Sequence, residues 1–207
     1  YAVFCLKKKT EPSLKKQETG LLSQVADMFK SFQFVSILVV CFIVVFVVNL
    51  RTSFLPVLLK AKDMDEVSIG LLYALFALAM TMVRLSIGRV MGLVHREKLM
   101  GFTLLLLILG LGFLPLLSAF AWLGTAMFLA GAGFGISQPL TTVMVADHRG
   151  SGLAMGVRFT TVTLATVLSP LCMGSVVDKC GLDFAFYAGG LMLISLGMFF
   201  MWAAFEK

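Results

Sequence analysis

Three arginines, Arg51, Arg84 and Arg158, fall inside long apolar stretches of this 207-residue chain. Asn49, Gln138 and Thr161 stand in the same stretches, and their amides and hydroxyls both donate and accept hydrogen bonds. A guanidinium among such groups holds a small solute by charge and directed hydrogen bonds wherever it reaches a water-filled cavity. Deep in lipid the same guanidinium costs about 2.5–3.5 kcal/mol. At 1.5 Å of rise per residue, each arginine lies within about 9–12 Å of the end of its stretch. Each therefore either snorkels towards the headgroups or turns inward. On the inward reading Asn49, Gln138, Arg158 and Thr161 line a substrate cavity, and Arg84 belongs to a structural charge network. None of the eleven acidic residues falls in these stretches. A proton-coupling carboxylate would have to come from elsewhere.

The elements that position these residues follow from composition. Hydrophobic residues make up 59% of the chain and charged ones 14%, against roughly 45–50% and 25% in soluble domains. Mean hydropathy is +0.99. The solvent to reason with is the bilayer. Six apolar segments, at about 34–59, 68–90, 99–119, 121–146, 152–177 and 184–205, each approach the roughly 20 residues that cross about 30 Å of hydrocarbon. The expected fold is an all-α polytopic membrane protein with six transmembrane helices. Its weakest boundary lies near Ser118, where only Pro115 and a patch of small residues separate the third and fourth segments.

Residues 1–33 read as a cytoplasmic connector, and 34–207 as the bundle. The connector opens on Tyr1, as if on the tail of a preceding apolar helix closed by Lys7, Lys8 and Lys9, so a fragment is expected. Leu21, Leu22, Val25, Met28, Phe29 and Phe32 then recur at helical spacing. That pattern fits an amphipathic helix in the headgroup plane; a plain solvated linker is the other reading. With the connector inside, eleven basic residues lie on the cytoplasmic face and only Lys60, Lys62 and Lys179 opposite. Positive loops stay inside, so both termini are expected to be cytoplasmic.

Polar content separates the helices. The third and sixth carry few polar residues and are expected to face lipid. The first, fourth and fifth, with Asn49, Arg51, Gln138, Thr141, Arg158 and a run of threonines, are expected to face an interior. Gly88 and Gly92, Gly131 and Gly135, and Gly152 and Gly156 have the spacing that lets helices approach closely.

Other classes of function fit poorly. The +6 charge is spread between apolar runs rather than along a basic stripe, which argues against nucleic acid. Cys5, Cys41, Cys172 and Cys180 are too scattered for a disulfide framework, and His95 and His148 sit alone in loops, so no metal or other cofactor is expected. Cys172 and Cys180 are either two free thiols or a pair formed in an oxidising compartment. An intramembrane enzyme needs a nucleophile and a base converging at membrane depth. Here every acid and histidine lies in a loop or terminus, so no catalysis is expected.

The run Gly88-Arg-Val-Met-Gly92-Leu-Val-His-Arg96-Glu-Lys98, four residues after Arg84, resembles a cytoplasmic loop motif of the major facilitator superfamily. Gly92, Leu93 and His95 depart from its usual pattern. Gly131-Ala-Gly133-Phe-Gly135-Ile-Ser-Gln-Pro139 is similar to that family's glycine-rich tenth helix, and Asp147 with Arg149 and Gly150 to the loop that follows. Pro170, Gly174, Asp178, Gly181, Phe184 and Phe186 resemble the junction of its last two helices. The resemblance implies the carboxy-terminal six-helix half of a secondary transporter. Arg84, Gly88, Arg89, Arg96 and Asp147 would be its charge and loop motif, and a missing amino-terminal half its partner. It further implies a multi-pass protein of the plasma (inner) membrane that moves a small organic solute by alternating access, with efflux as one direction. The alternative is a non-transporting scaffold in which the polar residues merely join helix to helix.

Overall fold

The computed structural model describes residues 24–147 and 151–205. The expectations placed on Tyr1, Cys5, the lysines at 7, 8 and 9, Leu21, Leu22, His148, Arg149 and Lys207 lie outside the described residues. Six long helices occur among those described: α1 (Phe32–Ala61), α2 (Glu66–Leu93), α3 (Arg96–Leu111), α4 (Phe120–Ala146), α5 (Ser151–Cys180) and α6 (Leu182–Phe205). All six are long and apolar enough to cross a membrane, and the fold is all-α and polytopic.

Local chemistry marks the ends. A short helical stretch at 24–29 closes on a turn at Lys30, and Ser31 caps α1 by accepting from the Phe34 N–H at 3.5 Å. Acids stand in the first turns of α2, α3 and α6, as Glu66, Glu97 and Asp183, where the helix dipole favours them. The weak boundary near Ser118 resolves into a 3₁₀ turn, Leu114–Leu116, before α4 begins. Gly181 alone joins α5 to α6. It sits at φ +90° and donates its N–H to the Val177 carbonyl at 3.0 Å. A side chain is strained in that left-handed cap.

The fourth helix is the hub. It packs most extensively on α2 and α3, and also meets α1 and α5. Glycines permit this approach: a methyl added at Gly131 would stand 2.3 Å from the Phe76 carbonyl oxygen, and one at Gly135 2.9 Å from that of Met80. At Gly110 of α3 it would meet the Ala130 backbone nitrogen at 2.5 Å. By contrast Gly70, Gly88 and Gly92 of α2, and Gly152, Gly156 and Gly174 of α5, face open space. Two of the three expected close-packing pairs therefore do not pack within this chain.

Burial also departs from the polarity reading. Over half of the apolar window is buried in α1, α3 and α4, a third in α6, and under a quarter in α2 and α5. The third helix, expected at the lipid, is wedged between α4 and α6. Only its outer side, with Phe102, Leu105 and Leu109, is open. The fifth, expected to turn towards an interior, is the most open of the six within this chain. Its threonines do not require an interior, because Thr160, Thr161, Thr163 and Thr166 each donate to the carbonyl four residues back. Cys172 and Cys180 lie on one helix, eight residues or about 12 Å apart along its axis. They cannot pair with each other, since a disulfide needs α-carbons within about 7 Å.

Gly131→Ala is expected to cost about 1–3 kcal/mol by overpacking against Phe76. Gly156→Ala should stay within about 0.5 kcal/mol, in keeping with an open site. Thermal unfolding of the solubilised protein compares the two, and equal losses would contradict the hub.

Candidate functional site

At the meeting of α4 and α5 lies a buried arginine. Arg158 is 4% exposed. Its Nη2 donates to the Gln138 carbonyl at 3.0 Å, to Gln138 Oε1 at 2.9 Å and to Thr141 Oγ1 at 3.0 Å. The side-chain hydroxyls of Thr141 and Thr142 donate to the same Gln138 carbonyl. Pro139 follows Gln138 directly and lacks the N–H that an unbroken α4 would supply. Cys41 of α1 is buried as well. Arg158 Nε is buried without a partner, and no ion pair reaches this arginine among the described residues. Amide, hydroxyl and carbonyl oxygens thus hold the cation in place of a counter-charge.

Of the four residues expected to share a cavity, this node brings together Gln138 and Arg158. Asn49 belongs to a separate seam between α1 and α5, where its Nδ2 donates to the Val45 carbonyl at 2.9 Å and to Thr166 Oγ1 at 3.3 Å. Ser169 Oγ donates to the Phe46 carbonyl at 2.8 Å in the same seam. Thr166 is eight residues from Arg158, about 12 Å along α5. Thr161 turns its hydroxyl back to the Val157 carbonyl at 2.9 Å.

The expected charge motif divides as well. Arg96, opening α3, pairs with Asp147, closing α4. Both are half-exposed, so the pair contributes at most about 1 kcal/mol. Arg84 and Arg89 are exposed on α2, and neither is in an ion pair among the described residues. No acid of the described residues lies in the middle of a span to meet Arg84. Gly88 beside them faces open space.

Sequence reasoning left one site unassigned. Arg51 of α1 is 5% exposed, and its guanidinium carbon lies 3.7 Å from the centre of the Phe76 ring and 4.9 Å from that of Tyr73. It does not snorkel. Tyr73 and Phe76, three residues apart on α2, were the legible signal, since that spacing puts two rings on one helix face.

Six membrane-crossing helices and buried arginines without counter-ions define a multi-pass membrane protein. Residues 2–151 match the family model of the Major Facilitator Superfamily, and the chain belongs to that superfamily of secondary transporters, whose members are not enzymes. The match spans the connector and the first four helices. Pro170, Gly174, Gly181 and Phe186, on which the resemblance also drew, lie beyond it. No curated protein matches the chain.

Gln138→Ala withdraws one acceptor from Arg158 and is expected to cost about 1–3 kcal/mol in thermal unfolding. Thr161→Val removes a hydroxyl bonded to its own helix and should cost within about 0.5 kcal/mol. A reversed order would break the assignment of the node.

Proposed function

We propose that this chain supplies one wall of the path of a secondary transporter for a small organic solute, and that a second six-helix half covers α2 and α5. The observation that carries this reading is the polarity of those two open faces. Exposed on α2 are Thr81, Arg84, Ser86 and Arg89, and on α5 Thr160, Thr163 and Thr166. Arg84 is nine residues, about 13 Å, from the end of α2. Left against hydrocarbon, such a guanidinium costs up to about 3 kcal/mol. A face that keeps it is better matched to water or to another protein surface. The open glycines of both helices let that surface come close.

In this reading the two halves rock about a site near the midplane. Asn49, Gln138, Arg158 and Thr161 are the residues of this half nearest the solute, and Arg96 with Asp147 fixes the loop end. Both termini are cytoplasmic, the membrane is the plasma membrane, and efflux is one direction the cycle runs. The closure of the threonines onto their own backbone favours the second reading, a scaffold that moves nothing.

Cysteines placed singly at 49, 138 and 161 in the full-length gene product, with the native cysteines replaced, separate the two. Transport predicts reaction with a water-soluble thiol reagent from one side at a time, and protection by solute. Residues closed to water from both sides would favour the scaffold. The 207-residue chain alone in liposomes should carry no solute; flux equal to that of the full-length product would overturn the half-path reading.

A further inference from the structure

Pro56 stands inside α1, five residues beyond Arg51. A proline has no N–H, so the carbonyl four residues back, that of Thr52, loses its helical donor. Within a membrane such a carbonyl needs a donor from a neighbouring helix. Tyr73 of α2 supplies one. Its hydroxyl donates to the Thr52 carbonyl at 3.4 Å and to the Arg51 carbonyl at 3.2 Å. The ring of that tyrosine, with Phe76 one turn further along, faces the Arg51 guanidinium. The backbones of α1 and α2 otherwise scarcely meet, because α2 packs along α4. Arg51, Tyr73 and Phe76 therefore join the two helices away from their connected ends, where Lys60 pairs with Glu66.

The closed joint leaves part of the arginine unsatisfied. Arg51 Nη2 donates to Thr52 Oγ1 at 3.3 Å, while Nε and Nη1 are buried without an acceptor. The ring faces offset some of the charge's lost hydration but accept nothing in the plane of the guanidinium. If α2 parts from α1, the tyrosine bond and both ring contacts are lost, and two nitrogens gain water. Opposed terms of this kind give an element two arrangements instead of one.

We propose that Arg51, Pro56, Tyr73 and Phe76 form a latch between α1 and α2 that opens by admitting water to the Arg51 guanidinium. Opening loosens α1 beyond the proline break, over residues 53–61, while the four-residue turn and the Lys60–Glu66 pair keep its end beside α2. What the loosening does in transport rests on the function proposed above; the latch itself does not. Tyr73→Phe keeps the ring and removes the donor. In the full-length gene product it is expected to speed amide hydrogen exchange over residues 53–61 about five-fold, the loss of one hydrogen bond, with α3 unchanged. Pro56→Ala returns an N–H to the Thr52 carbonyl, so adding it to Tyr73→Phe should bring exchange back to within about two-fold of the parent. Unaltered exchange in Tyr73→Phe overturns the latch. So does acceleration shared equally by α3, or acceleration that Pro56→Ala leaves in place. Solute flux measured alongside reports on the transporter reading alone: a parent without flux sinks that reading and leaves the exchange result standing.

Discussion

Hydrocarbon offers no hydrogen-bond partner, so polar groups between the ends of this bundle must be answered by the chain itself or by something that covers it. The cheapest answers are local. Thr81, Thr103, Thr125 and the threonines of α5 each fold onto a carbonyl one turn back. Costlier groups recruit a second helix, as Arg158 does with Gln138 and Thr141, and Ser169 with the Phe46 carbonyl. Where neither answer is complete, at Arg51 and at one nitrogen of Arg158, donors stay buried and unpaired. These are the places where a second arrangement has the most to gain.

The same constraint gives glycine two uses here. On α4 it lets backbones touch, and the hub exists because Gly131 and Gly135 carry no side chain to hold α2 away. On α2 and α5 glycine meets nothing. A bundle driven by van der Waals contact has no reason to leave such faces empty. The chain is thus well packed around α4 and open along α2 and α5, where several of its exposed polar residues lie.

Much of the fold was legible. Six apolar runs gave six helices, with ends shifted by up to three residues except that α3 stops at Leu111, eight short of the expected end, because length and hydropathy are what the bilayer selects. Which helices lie inside was less legible. Polarity was read as a sign of interior position, yet α3, with few polar residues, is enclosed, and α5 is open among the described residues, its threonines bonded to their own helix. The site was half legible. Gln138 and Arg158 meet because they lie on helices that pack together, while Asn49 lies on another seam, a distinction invisible in a list of polar residues. Arg51 was seen only as a charge. Its partners are two rings and the Thr52 hydroxyl, none of which registers in a count of charges.

The faint boundary between α3 and α4 has a further consequence. The turn around Pro115 brings almost no polar side chains of its own, and its half-buried carbonyls are met by Lys62, which donates to the Pro115 carbonyl at 2.7 Å and to the Leu117 carbonyl at 2.8 Å. That lysine precedes its acceptors by 53 and 55 residues. Translation makes it first, so the donor is in the chain before the greasy hairpin is. The order of translation thus supplies the donor before the later segment has to turn, and the hairpin borrows its polarity from chain already made.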